Sequence, residues 1–317
     1  MRSRLTLILF VALALVAAAC GGDDGGSDTT TTPTTAAATT TTAAEGTTTT
    51  VADTTTTTAD ACAVENLNLA TPGQLTVATG EPAFPPWVSG IDGENFDDPE
   101  SQTGFEAALV YELAAELGFA DDQVVWVRTG FDQAIAPGPK DWDFNLQQFS
   151  ITEAREEVVD FSEPYYETRQ ALIALADSPV IGATSFADLA DAKLGAQIGT
   201  TSLDYIEDVI QPNEQPAVYD TNSDAKSALE AQQLDGIVVD LPTAYFITAV
   251  EIPEATIVAQ FEAPAAEPDL YGMLFAEGNT LVDCVNTALG ALRNGGVLEQ
   301  LEQEWLAQGG NVATISE

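Results

Sequence analysis

The feature that most constrains this fold is a repeated alternation of short strand patterns with helical ones. Gln74–Thr79 alternates apolar and polar residues as a strand does, the apolar residues of Phe105–Leu117 recur at helical spacing, and Val124–Arg128 is again strand-like. A strand–helix–strand order is typical of a mainly parallel sheet with helices packed on it. The chain is therefore predicted to be an α/β protein.

The same alternation occurs a second time, after position 180. Strand patterns at Leu194–Ile198 and Gly236–Val239 are each followed by a helical pattern. Two short crossings, near Ala174–Val180 and near Phe261–Pro268, bracket this second round. We therefore predict two α/β lobes joined by a two-stranded hinge, with residues 61–176 and 263–317 in the first lobe and residues 177–262 in the second.

The first 60 residues are predicted to contain an export signal and a linker, and not a folded domain. Arg2 and Arg4 precede an apolar run, Leu5–Val16, and small residues then lead to Cys20, so residues 1–20 are predicted to be a secretory signal peptide. A cysteine at the cleavage junction resembles the bacterial lipoprotein signal, which predicts lipidation of Cys20 and a membrane anchor. Secretion with an unmodified cysteine is the alternative. Residues 21–60, which are rich in Thr, are predicted to be a disordered linker.

Two further cysteines follow Cys20, at Cys62 and Cys284. In an oxidising compartment an even pair predicts one disulfide, and both residues fall in the predicted first lobe. Two buried free thiols are the alternative.

Composition excludes several classes of function. The chain has 9 Lys and Arg against 50 Asp and Glu, a formal net charge of −41, so nucleic acid and anionic membrane surfaces would repel it. It contains no histidine, which removes Ser-His-Asp and Cys-His catalysis and histidine-based zinc sites. It also has no glycine-rich phosphate loop. We expect neither a cofactor nor a metal.

Polar residues stand at the ends of predicted strands, where open α/β sheets bind ligands. Ser150 and Arg155 occur in one such stretch, the Gly-Thr-Thr turn at 199–201 lies between a strand and a helix, and Asp240 ends a strand. An arginine and a helix N-terminus can hold a carboxylate, and an aspartate can hold an ammonium group. These groups together are what a free α-amino acid requires.

Each of these residues also has a purely structural explanation. Arg155 could pair with a neighbouring glutamate on a helix surface, and Thr201 and Asp240 could be helix N-caps. Phe84 and Trp87, which would pack on the ligand side chain in a binding site, could be core residues instead. Their occurrence in this order, at strand ends, favours the ligand site.

Longer motifs carry a family resemblance that extends from about Leu75 to Leu306. They are TGEPAFPPW at Thr79–Trp87, GFE at Gly104–Glu106, SITEAREEVVDFSEPYY at Ser150–Tyr166, SFADLADAKLGAQIGTT at Ser185–Thr201 and GIVVDLPTA at Gly236–Ala244. In combination they resemble the bacterial extracellular solute-binding proteins of family 3, the receptors for polar amino acids in ABC importers.

The resemblance implies a two-lobed, type II periplasmic-binding-protein-like fold and assigns roles to single residues. Arg155 would hold the ligand α-carboxylate with help from Thr200 and Thr201, and Asp240 would hold the α-ammonium group. Phe84 would cover the ligand with Trp87 beside it. The other implied contacts are Ser150 and Gln197.

The chain departs from the family pattern just before the SIT motif. Gln147, Gln148 and Phe149 stand where the family usually has small residues, so Gln148 is predicted to add an amide to the pocket. A neutral polar ligand side chain such as that of glutamine is favoured, unless Arg128 or Arg169 brings a second cation into the pocket.

These inferences predict a monomeric, lipid-anchored binding protein, not an enzyme, on the extracellular face of the cell membrane. Its lobes would close on a polar amino acid and deliver it to the permease of an ABC transporter. Three alternatives remain open: an exported enzyme of the same fold, such as a dehydratase or a murein-cleaving enzyme, a ligand-sensing surface receptor, and a structural adhesin.

Overall fold

The computed structural model describes residues 61–90, 95–262, 268–306 and 312–316. The predicted signal peptide with Cys20 and the predicted linker at 21–60 lie outside these residues. The strands are β1 Leu75–Thr79, β2 Val124–Arg128, β3 Phe144–Asn145, β4 Val159–Phe161, β5 Tyr166–Thr168, β6 Gln170–Leu175, β7 Leu194–Gln197, β8 Ala217–Tyr219, β9 Gly236–Asp240, β10 Ala255–Phe261, β11 Asp269–Tyr271, β12 Leu274–Ala276 and β13 Thr314–Ile315.

The α-helices alternate with these strands, as the sequence pattern predicts. They are α1 Phe105–Leu117, α2 Phe131–Ile135, α3 Glu153–Glu156, α4 Thr201–Asp204, α5 Asn222–Glu230, α6 Leu241–Phe246, α7 Leu281–Asn294 and α8 Val297–Leu301. Three of them continue as π-helical turns, α4 through Tyr205–Ile210, α6 through Ile247–Glu251 and α8 through Glu302–Leu306. Short 3-10 turns occur at Val64–Asn66, Pro99–Ser101, Asp121–Gln123 and Phe186–Leu189.

The sheet of the first lobe has five strands in the order β2-β1-β3-β12-β4. β1 runs parallel to β2 and β3, whereas β12 runs antiparallel to β3 and β4. Helix α1 shares a core with β1 because Phe105, Leu109 and Leu113, each four residues apart, lie on one face and are fully buried. The helix ends at Gly118, whose φ of 93° gives the left-handed conformation of a C-cap.

The sheet of the second lobe has six strands in the order β13-β10-β6-β9-β7-β8. β7 is parallel to β8 and β9, but β6 is antiparallel to β9 and β10. Both sheets are therefore mixed, and the expectation of mainly parallel sheets is met only in part. The antiparallel pairing arises because β6 leads the chain into this sheet and β10 leads it out beside it, in the opposite direction.

A short antiparallel pair, β5 with β11, matches Tyr166 with Tyr271 next to the start of β6. The first crossing between the lobes therefore falls near residue 169 and not at Ala174–Val180. β6 belongs to the second sheet, as does β13, so the segments assigned to the first lobe, 61–176 and 263–317, each contain a strand of the second. The sequence misleads here because the first five residues of β6 are all buried, which leaves no alternation to assign the strand to one sheet.

A disulfide joins Cys62 to Cys284, with their Cα atoms 5.4 Å apart, as predicted. Cys284 lies in α7, and both cysteines pack in the core of the first lobe. Among the residues that the structure describes, no helix has the length and apolar character needed to cross a bilayer.

Candidate functional site

A cavity of about 380 Å³ opens between the two lobes, beside the carboxyl ends of β1, β7 and β9. Ligands of open α/β sheets bind at this end of the strands. Eight of the nine predicted ligand contacts line the cavity: Phe84, Gln148, Ser150, Arg155, Gln197, Thr200, Thr201 and Asp240.

Arg155 reaches the cavity from α3, which Thr152 caps by accepting a hydrogen bond from the Arg155 backbone N–H. Its guanidinium donates to the carbonyl oxygen of Ser150 (2.6 Å) and, across the cleft, to that of Gly199 (2.9 Å). The side chain is 8% exposed, so it points inward and does not lie on the helix surface. Burial lowers the pKa of Arg155, an effect that Asp269 nearby opposes.

The facing wall is the start of α4, where the N-cap is Thr200 and not Thr201. The Thr200 hydroxyl oxygen accepts from the Leu203 N–H and its proton goes to Gln197 O. The Thr201 hydroxyl donates to Asp269 Oδ2 at 3.3 Å and lies 3.1 Å from Ser150 Oγ. Both hydroxyl protons are therefore directed at protein acceptors. The donors left for an anion are the backbone N–H groups at the start of α4 that precede Leu203, since the Leu203 N–H is bonded to Thr200.

Asp240 ends β9 and begins α6, so it is both a helix cap and a cavity residue. Its Oδ1 accepts from the Thr243 N–H at 3.0 Å. Burial raises the pKa of Asp240 to about 6, although hydrogen bonds from Thr243 oppose that rise. The carboxylate is therefore mainly ionised at neutral pH and can attract a cation.

The two predicted aromatic contacts point in different directions. Phe84 lines the cavity, and the ammonium group of Lys226 from the second lobe stands 4.7 Å from its ring centre. Trp87, which was predicted to lie beside Phe84 at the ligand, is not among the described residues that line the cavity. Its side chain is 1% exposed, packs in the first-lobe core, and donates from Nε1 to Thr243 Oγ1 (3.0 Å) across the cleft.

Two further predicted residues, Gln197 and Ser150, also make contacts within the protein. Gln197 Oε1 accepts from the Asn222 N–H at 2.9 Å, so this side chain also caps α5. Ser150 forms an antiparallel bridge to Tyr271 of β11, which ties the cavity to the β5–β11 pair.

Glu106 supports the site and escaped prediction as a functional residue. It lies in the first turn of α1, is 1% exposed, and accepts hydrogen bonds from the Gln148 backbone N–H (2.9 Å), from Gln148 Nε2 (2.5 Å) and from the Tyr165 hydroxyl. Burial raises the pKa of Glu106 to about 7. The signal in the sequence was an acidic residue at the start of a helix whose other early positions are apolar.

Negative charge dominates the cavity lining. The carboxylates are those of Glu81, Asp132, Asp220 and Asp240, whereas Arg155 is the one cation among the described lining residues. Arg128 and Arg169 do not line the cavity, so neither supplies the second cation considered from the sequence. Arg128 instead donates to Gly80 O (2.7 Å) and pairs with Asp97 (2.7 Å).

Comparison of the sequence with known proteins matches it to one family. A profile of the bacterial extracellular solute-binding proteins, family 3, matches residues 77–308. The chain is 26% identical to "ABC transporter arginine-binding protein 1" of Escherichia coli over 71% of this chain and 88% of that protein. It is 31% identical to a "Probable histidine-binding protein" of Campylobacter jejuni, over 47% of this chain and 56% of that protein.

Solved structures give the same fold. "An ancestral arginine-binding protein bound to arginine" superposes with a TM-score of 0.61 at 26% identity, over 74% of this chain and 99% of that one. The ancestral amino acid-binding protein AncCDT-1, described as a precursor of cyclohexadienyl dehydratase, superposes with a TM-score of 0.58 at 27% identity, over 74% of this chain and 95% of that one.

Proposed function

The chain belongs to the bacterial extracellular solute-binding proteins, family 3, and we propose that it binds a free amino acid between its lobes as the substrate-binding component of an ABC importer. The observation that carries this proposal is that Arg155, the one cation of the described lining, and the carboxylate of Asp240 line the same cavity. Arg155 and the first turn of α4 suit an α-carboxylate, and Asp240 suits an α-ammonium group.

Closure of the lobes is the second part of the proposal. Contacts across the cleft join Arg155 to Gly199 and Ser150 to Thr201, so residues of both lobes meet at the cavity. A ligand that contacts both lobes binds the closed form more tightly than the open one, and it shifts the hinge equilibrium by that difference in free energy.

The relatives guide the choice of ligand side chain. Two of them are named for arginine and histidine, and four carboxylates line this cavity. We therefore propose a polar side chain that is cationic, and not the neutral one first favoured from the sequence, because a second cation is missing from the described lining.

The cellular context follows from the family and from the first 60 residues. We propose export to the extracellular face of the membrane, a lipid anchor at Cys20, a Thr-rich linker at 21–60, and delivery of the ligand by a monomer to a permease. The ligand leaves unchanged, so the protein is not an enzyme. Incubation with the bound amino acid, followed by NMR of the released molecule, tests this, and a new product would support the dehydratase type of function instead.

Thermal unfolding with the twenty amino acids tests the binding function. We expect arginine or a similar cationic amino acid to raise the melting temperature, because a ligand that binds only the folded state stabilises it. N-acetylarginine lacks the ammonium group and argininamide lacks the carboxylate, so neither should do so. A protein that responds to none of the twenty, or equally to the blocked derivatives, contradicts the proposal.

A further inference from the structure

The position of Gln148 in the cavity depends on Glu106. Gln148 holds a φ of 52°, which is uncommon for a residue with a Cβ, and it lines the cavity. Its backbone N–H and its side-chain Nε2 both donate to the Glu106 carboxylate, at 2.9 Å and 2.5 Å. Backbone and side chain are therefore held by one partner.

The Glu106 carboxylate accepts three hydrogen bonds and donates none to the described residues. Its Oε1 accepts from the Gln148 backbone N–H and from the Tyr165 hydroxyl, and its Oε2 accepts from Gln148 Nε2. A carboxylate offers only acceptors on both oxygens. At a pH above about 7, where Glu106 is ionised, the side-chain amide of Gln148 must therefore turn its NH₂ group toward Glu106.

The orientation of the amide determines what the cavity presents to a ligand. With its NH₂ group on Glu106, the Gln148 carbonyl oxygen receives no hydrogen bond from the described residues. Gln147, which also lines the cavity, likewise uses its Nε2 on Thr129 O, at 3.2 Å. Neighbouring carboxylates add acceptors to the same lining, so this part of the cavity favours N–H donors.

We propose that Glu106 is a positioning residue that fixes the carbonyl oxygen of Gln148 toward the cavity, so that the site selects amino acids whose side chains end in N–H donors over isosteres that end in a carbonyl oxygen. This inference rests on the proposed amino acid-binding function and names the class of side chain. Arginine and citrulline are the matched pair, because citrulline replaces one guanidinium nitrogen with a carbonyl oxygen and removes the charge.

The substitution Glu106→Gln reverses the orientation without a change of size. The new amide oxygen would occupy the position of Oε1, because two donors meet there, and its NH₂ group would face Gln148 Nε2. Two donors cannot pair, so the Gln148 amide must rotate and present its own NH₂ group to the cavity. A loss of folding would weaken every ligand alike, whereas a reversed amide changes the ratio between two ligands.

Calorimetry with arginine and citrulline at pH 8, where Glu106 is ionised, on the full chain and on each variant, provides the test. We expect the wild-type protein to prefer arginine, and Glu106→Gln to lower the ratio of the two affinities by at least about tenfold. Glu112→Gln, which changes an exposed glutamate of the same helix, is the control and should leave the ratio unchanged.

Two further results complete the test. Should Glu106→Gln fail to fold, Gln148→Met, which has neither carbonyl nor NH₂ group, should also lower the ratio. The inference is overturned if the folded Glu106→Gln variant keeps the wild-type ratio. If that variant is unfolded, an unchanged ratio in Gln148→Met overturns it. Either result leaves the proposed amino acid binding intact. Failure of the wild-type protein to bind either compound, or any other amino acid, would instead contradict the proposed function.

Discussion

The guanidinium of Arg155 in the first lobe donates a hydrogen bond to the backbone carbonyl oxygen of Gly199 in the second, 2.9 Å away. The same side chain donates to Ser150 O within its own lobe. One residue therefore lines the cavity and contributes to the contact between the lobes, so we propose that ligand binding and closure depend on the same group.

Arg155→Lys is expected to weaken amino acid binding by about 100-fold or more in calorimetry. Lysine keeps the positive charge but lacks the planar, multiple-donor geometry that can hold a carboxylate and a carbonyl oxygen together. Arg169→Lys, at a position outside the cavity lining, is the matched control and should bind as the wild type does. Equal affinities for the two variants would remove Arg155 from the carboxylate site.

Trp87 should report closure by its fluorescence, because its Nε1 donates to Thr243 across the cleft. Trp87→Phe keeps an aromatic ring in the core but removes this hydrogen bond. We expect it to abolish most of the ligand-dependent fluorescence change and to weaken binding by about two- to tenfold, the range for one hydrogen bond. Trp142→Phe is the control, and a fluorescence change that persists in Trp87→Phe would show that the contact does not form on closure.

Removal of the disulfide should affect stability and not affinity. The double substitution of Cys62 and Cys284 by serine is expected to lower the free energy of unfolding by about 2–5 kcal/mol, as measured in urea. Both cysteines lie in the first-lobe core, so the movement of one lobe against the other is not constrained by the bond. A large change in ligand affinity would mean that the bond also sets the lobe geometry.

The stability of the ligand-free protein should fall as the pH rises through about 7, in part because of Glu106. Burial raises the pKa of this group from 4.5 to about 7, so the folded state binds its proton more tightly than the unfolded state does. The resulting stability is fully present below pH 4.5 and is lost as the pH rises through 7.

Urea unfolding at pH 4 and pH 8 measures this effect. Glu106→Gln should reduce the difference in unfolding free energy between the two pH values by roughly 3 kcal/mol. In the Glu106→Gln variant the unfolding free energy should still fall as the pH rises, but by less, because the pKa of Asp240 is also raised, to about 6. The exposed Glu112→Gln control should retain the whole difference, and an equal reduction in both variants would rule out burial of Glu106 as the cause.

Residues that project from the ends of strands were predictable, because strand and helix periodicities fix where the connecting turns fall. Thr200 and Asp240 were placed in this way, whereas Arg155 was placed by its motif and reaches the cavity from α3, and all three line the cavity. Trp87 was predicted to lie beside Phe84 at the ligand, but it packs in the first-lobe core. It follows Phe84 by three residues in one turn, and the sequence does not say which of two neighbouring aromatic rings faces the core.

The sequence by itself determined the two-lobed α/β fold, the family, the disulfide and eight of the residues that line the cavity, because these depend on local periodicity and on motifs that are contiguous in the chain. Only the tertiary structure decided that β6 and β13 belong to the second lobe, that Thr201 directs its hydroxyl proton to Asp269, and that Glu106 holds the Gln148 amide. Those facts depend on groups far apart in sequence, whose hydrogen bonds exist only after the chain has folded.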